Sequence, residues 1–115
     1  MTIDEYRSYC LSFKETTEDL PFDENTLVFK VKGKMFALTD IDLFNSINLK
    51  CDPEEAVELR ERYEGITPGY HMNKRHWITV TTDGSVPEKL IRELTEKSYK
   101  LVVAALPRKD RKGLV

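Results

Sequence analysis

Both histidines of the chain, His71 and His76, bracket Lys74 in a stretch from Ile66 to Thr82 that holds Arg75 and no carboxylate. Tyr70, Asn73 and Trp77 complete the group. Cations beside hydrogen-bonding and aromatic side chains suit a polyanion. Lys74 and Arg75 can neutralise phosphates, Asn73 can bond a base edge or a phosphate, and Tyr70 or Trp77 can stack. The same residues also admit a structural reading. Trp77 then opens a strand and belongs to the core, while His71 and Asn73 hold an irregular loop through backbone hydrogen bonds. A second basic group, Arg108, Lys109, Arg111 and Lys112 around Asp110, ends the chain. Such a tail can grip phosphates or simply be solvated.

Other chemistries find less support. His71 and His76 have no Cys, Asp or Glu between them and match no metal-ligand spacing. Neither histidine brings a nucleophile or a pocket with it. Asp83-Gly84-Ser85 lacks the second glycine of a nucleophile elbow, and Ser85 is better placed to cap a helix ahead of Pro87. No Gly-rich phosphate loop occurs. Cys10 and Cys51 read as reduced, partly buried thiols. The expectation is a non-enzymatic protein with no metal and no cofactor.

The formal net charge of −2 argues against avid, non-specific phosphate binding by bulk charge and moves the question to how the charge is distributed. Asp4, Glu5, Glu15, Glu18, Asp19, Asp23 and Glu24 face only Arg7 and Lys14 in residues 4–24, so a nucleic-acid surface should lie elsewhere. A chain of 115 residues is expected to form one domain, with residues 106–115 as a basic tail. No apolar run approaches the roughly 18–20 residues of a membrane span, and a cytoplasmic monomer or weak dimer is expected.

The elements that must position these groups follow from periodicity. Thr2-x-x-Glu5 is a capping box opening a helix through Ser12 with Ile3, Tyr6, Cys10 and Phe13 on one face. Residues 14–25 read as a loop pinned to the core by Leu20 and Phe22. Thr26–Lys32 and Met35–Thr39 form a hairpin about Gly33-Lys34, which places Lys32 and Lys34 at its tip. Asn45–Lys50 alternates as a third strand. Asp52 caps a second helix with Ala56, Leu59 and Tyr63 on one face, and Gly65 ends it in a left-handed conformation. Residues 65–76 form a loop, and Trp77–Thr81 is a fourth strand. A long helix from Pro87 to Leu106 buries Leu90, Ile91, Leu94, Ser98, Leu101, Val102 and Ala105. The order α-β-β-β-α-β-α predicts an α+β fold, an antiparallel sheet packed against helices.

Four sequence features occur in order: His71-x-Asn73-Lys74-x-His76-Trp77, Asp83-Gly84-Ser85-x-Pro87, Ser98-Tyr99 and Leu106-Pro107. Together with the Thr2–Cys10 opening, the hairpin and Asp52-Pro53-Glu54, they make the whole chain resemble the MmcQ/YjbR family. The resemblance implies a compact fold of the CyaY-like and secretion-chaperone-like group. It also implies DNA binding, with two projecting β wings as the contacting elements. The combined expectation is a DNA-binding protein that touches phosphates through Lys74, Arg75, Asn73, Tyr70, His71 and His76. Lys32, Lys34 and the tail would assist. One alternative is a protein- or peptide-interaction module using a strand edge or a helix face. Another is a small-molecule binder with a pocket beside His71, His76 and Tyr99.

Overall fold

The structure is a computed structural model that describes residues 1–70 and 72–114. Its elements in chain order are α1 (Ile3–Leu11), β1 (Thr16–Asp19), β2 (Thr26–Val31), β3 (Lys34–Asp40), β4 (Ser46–Lys50), α2 (Pro53–Arg62), β5 (Ile66–Pro68), β6 (Trp77–Thr81) and α3 (Glu88–Ala104). A short 3-10 turn, Arg108–Asp110, follows. The strands form one six-stranded sheet in the order β1-β2-β3-β4-β6-β5, with every described pairing antiparallel. The expected α+β class holds.

Two strands lie where sequence periodicity suggests loop. β1, Thr16-Thr17-Glu18-Asp19, carries no large apolar residue, so nothing marks it before β2 offers its backbone. β5 is three residues long and ends in Pro68, which is tolerated because the strand is an edge. Both are short edges, β1 polar and β5 ending in proline, and so blunt further strand addition.

The capping box forms as the sequence predicts. Thr2 Oγ1 accepts from the Glu5 N–H at 3.1 Å, and Glu5 Oε1 accepts from the Thr2 N–H at 2.9 Å. The hairpin turn sits one residue earlier than expected. Lys32 (φ 50°) and Gly33 (φ 80°) occupy it, both left-handed, which is the two-residue turn whose twist matches the strands. Lys34 therefore begins β3.

Register gives the sheet two different faces. Leu27, Thr39, Ile47, Val80 and Ile66 are aligned across the strands on the helix side. Phe29, Ala37, Leu49 and Ile78 form the next row. They join Tyr6, Phe36, Ile91, Leu94, Val102 and Val103 in the main core. A bulge opposite Phe29/Lys30 leaves Phe36 without a partner on β2, so Phe36 and Ala37 both reach that core. Among the described residues the other face carries no helix. Val28, Leu38 and Trp77 make a small cluster there, with Met35 and Met72 against it.

Several local expectations change. Leu20 and Phe22 do not pin their loop to the main core; they are 43% and 64% exposed, and Phe22 overlooks the open face. The α3 stripe is rotated. Thr95, Tyr99 and Val103 are buried while Leu101 and Ala105 are exposed, because Tyr99 packs against Phe13 and Phe36. Gly65 is not a left-handed cap. It is buried where a Cβ would stand 2.5 Å from Ser85 Oγ and 2.7 Å from Thr81 Oγ1, so close packing requires it. Ser85 does not cap α3 either: Pro87 stands at the N-cap with no side-chain bond, and Ser85 Oγ bonds Asp83 Oδ1 at 2.7 Å.

Candidate nucleic-acid interface

The β5–β6 connection is built to hold its charged tip away from the core. Gly69 N–H donates to the Trp77 carbonyl at 2.9 Å, and a Cβ at Gly69 would meet Trp77 Cβ at 2.7 Å. Only glycine lets the two backbones approach that closely. Asn73 Oδ1 then accepts from the Arg75 N–H at 2.9 Å and the His76 N–H at 3.2 Å, while its carbonyl accepts from the Trp77 N–H at 2.9 Å. Asn73 is thus a turn former, as the structural reading of this loop has it. His76 is anchored by its carbonyl, which accepts from the Cys51 N–H at 2.8 Å.

Lys74, Arg75 and His76 are exposed on this turn. Neither Lys74 nor Arg75 joins any ion pair among the described residues. Tyr70 is 66% exposed, and its N–H donates to Thr79 Oγ1 at 3.0 Å. Trp77 is buried in the open-face cluster and offers no free ring face. His71 lies outside the described residues.

Strand direction brings the other cations to the same end. β2 ends and β3 begins there, β4 ends there, β5 ends there and β6 begins there. The Lys32–Lys34 hairpin tip and the 69–76 connection therefore share one end, separated only by β4. Between adjacent strands the spacing is roughly 4.8 Å. Lys34 has no ion-pair partner among the described residues, whereas Lys32 Nζ lies 3.7 Å from Glu15. Lys50, the register partner of Trp77, sits on the open face beside the turn. Sequence reasoning passed over it, although its place as the last residue of an alternating strand was the available signal.

The tail reaches this end from the helix side. Tyr99 Oη donates to the Lys14 carbonyl at 2.7 Å, Lys14 Nζ reaches the Gly113 carbonyl at 3.5 Å, and Leu114 packs on the core. Lys14 just precedes β1, whose first residue pairs with Val31 next to the hairpin turn. Arg108, Lys109 and Lys112 are exposed there and Arg111 is half-buried. Tyr99 is buried on the helix side of the sheet, so it shares no pocket with His76.

The opposite end has the reverse charge. Its connections, residues 19–25, 40–45, 63–65 and 82–87, contain Asp19, Asp23, Glu24, Asp40, Asp42, Glu64 and Asp83 and no Lys or Arg. Acids at the cationic end are Glu15 and Asp52 in its connections, Glu54 and Glu55 in the first turn of α2, and Asp110 in the tail, and the first two are engaged. Glu15 pairs with Lys32, and Asp52 Oδ2 accepts from the Glu54 and Glu55 N–H groups that open α2. The net charge of −2 conceals a molecule with two poles.

A six-stranded antiparallel sheet with helices on one face and a cationic end defines a small α+β protein. The chain belongs to the YjbR family, whose model, described as YjbR, matches residues 11–101. It is 35% identical over 116 residues to the protein YjbR of Escherichia coli (strain K12), covering 100% of this chain and 98% of that one. It is 42% identical over 93 residues to YbdF of Escherichia coli O157:H7, covering 80% of this chain and 76% of the relative. The crystal structure of Deinococcus radiodurans protein DR2400, with domain DUF419, superposes with a TM-score of 0.92. The identity is 47%, over 98% of this chain and 87% of that one.

Proposed function

We propose that this protein is a non-enzymatic nucleic-acid-binding module that meets phosphates with its cationic end. The observation that carries the reading is the partition of charge between the two ends of the sheet. Lys74 and Arg75 are exposed and join no ion pair among the described residues, Lys34 and Lys50 stand two strands or fewer away, and the tail joins from behind. A duplex or single strand carries regularly spaced negative charge, and each phosphate neutralised releases counterions. Asn73 acts through the turn it shapes rather than by touching the ligand. No helix among the described residues is long and apolar enough to cross a membrane, and the reading places the protein in the cytoplasm.

The test is a titration of the purified chain with a fluorescent 12-nucleotide DNA at several salt concentrations. Binding should weaken steeply with salt, and Lys74→Glu/Arg75→Glu should abolish it without loss of folding. Absence of binding by the wild-type chain at low salt defeats the proposal. A second reading, docking of a basic protein partner, draws on the acidic end, where Leu43 is 69% exposed beside Asp42. A complex recovered free of nucleic acid and lost in Asp42→Lys would favour it.

A further inference from the structure

The open face of the sheet carries a groove of about 640 Å³ that the cationic end does not account for. Its floor is Leu38 and Met35, its walls are Phe22 from the β1–β2 connection and Tyr70 with Met72 from the β5–β6 connection. Phe22 and Tyr70 are 64% and 66% exposed and flank the groove as aromatic lips. Hydrogen-bonding side chains line the rest: Asp23, Thr26, Thr39, Asp40, Asn45, Ser46 and Asn48, with both Asp23 oxygens taken by the Asn25 and Thr26 N–H groups and the Thr26 hydroxyl. Asn48 Oδ1 accepts from Thr79 Oγ1 at 2.7 Å, which leaves its amide hydrogens for a ligand. Asp40 Oδ1 is taken by the Asp42 and Leu43 N–H groups, whereas Oδ2 makes no hydrogen bond among the described residues. Among the described residues no Lys or Arg lines the groove, which runs from the acidic-end connections that carry Phe22, Asp23, Asp40 and Asn45 to the β5–β6 connection, where Lys50 and the Lys74–Arg75 turn stand next to Trp77.

We infer that the groove takes the unstacked bases of a single-stranded nucleic acid whose phosphates lie across the cationic end. This rests on the nucleic-acid reading above and narrows its ligand. A duplex presents phosphates and hides its base faces, so it gains nothing from an apolar floor between two aromatic lips. A single strand can splay its bases, set them against aromatic and thioether side chains, and offer their edges to polar groups. The charge pattern fits that orientation. The Asp40 Oδ2 inside the groove matches exocyclic amines of bases, the Asn48 amide hydrogens match base carbonyls and ring nitrogens, and cations outside it match the backbone. A basic peptide would suit the carboxylates but would meet Lys50, Lys74 and Arg75 at the groove mouth.

The experiment compares a fluorescein-labelled mixed-sequence 12-nucleotide DNA with the same strand annealed to its complement, at one salt concentration, by anisotropy. The wild-type chain is expected to hold the single strand about tenfold tighter or more, and Phe22→Ala/Tyr70→Ala should bring that ratio close to one. Both replaced side chains are exposed, so folding is checked by the unchanged amide spectrum. Residue-resolved NMR with the single strand should move the amides of Leu38, Asn48 and Thr79. Equal or tighter duplex binding, or a ratio unmoved by the double substitution, overturns the inference while leaving the nucleic-acid reading intact. Amides of the groove that respond to a tyrosine-containing oligolysine peptide and not to the single strand overturn it in favour of a protein ligand. Failure to bind either oligonucleotide removes both readings.

Discussion

Ser98 Oγ donates to the Phe36 carbonyl at 2.6 Å and accepts from the Lys50 N–H at 2.9 Å. One fully buried hydroxyl on α3 thus bridges two strands at the bulge. The bulge takes Phe36 out of register with β2 and puts its side chain into the main core. Lys50 N–H, at the last residue of β4, finds its acceptor in the same hydroxyl.

Ser98→Ala should therefore destabilise the protein by about 1–3 kcal/mol, since it strands a buried acceptor and donor. Thermal or urea unfolding checks this. A change within experimental error of wild type would mean that water replaces the hydroxyl.

Gly69→Ala places a Cβ 2.7 Å from Trp77 Cβ and 3.0 Å from the Trp77 carbonyl oxygen. The strand backbone cannot yield as a flexible side chain would, so a loss of about 1–3 kcal/mol is expected. The same substitution should loosen the turn that carries Lys74 and Arg75, read as larger amide exchange rates at Arg75 and His76.

Charge at the two ends should act separately. β3 spans seven residues between them, about 20 Å at a strand rise of roughly 3.3 Å per residue. The Debye length at physiological salt is about 8 Å. Arg75→Ala should lower the slope of log affinity against log salt by about one, whereas Glu64→Gln, at the opposite end and outside the groove lining, should change affinity less than about twofold. Anisotropy titrations distinguish the two.

Asp83 and Asp23 give the acid limb of the stability profile a defined origin. Hydrogen bonds from the Ser85 hydroxyl and N–H and from the Thr81 hydroxyl hold Asp83 below its ordinary value of 3.8. The Thr26 and Asn25 N–H groups and the Thr26 hydroxyl do the same for Asp23. A depressed folded-state pKa stabilises the fold above the ordinary value, and that contribution disappears as pH falls through the folded one. Melting temperature should fall below pH 3.8, and Asp23→Asn/Asp83→Asn should fall less steeply there. Parallel curves for the two proteins would contradict this.

Burial raises both thiols, Cys10 and Cys51, to about 12, and for Cys51 the Glu55 carboxylate adds to the effect. The thiolate is the reactive form. Native protein at pH 8 should resist iodoacetamide, and both thiols should react after guanidinium unfolding, as intact-mass measurement would report.

The chain's own residues determined the helices and the four longer strands. Thr2 and Glu5 close a box within four consecutive residues, Asp52 caps α2 from next door, and the β2–β3 strands carry the β-branched and aromatic side chains that a pleated surface accepts. The cationic character of Lys74 and Arg75 was equally legible, because composition is local. Strand β1 was not, since Thr16–Asp19 becomes a strand only when β2 supplies its backbone partners. Nor was the packing role of Gly65, whose crowding comes from Ser85 and Thr81. Phe22, read as an anchor, became a groove wall because the helices cover only the other face of the sheet. Above all, strand direction decides which connections meet. It gathered Lys34, Lys50, Lys74 and the tail at one end and the carboxylate-rich turns at the other, a separation carried by contacts distant in sequence.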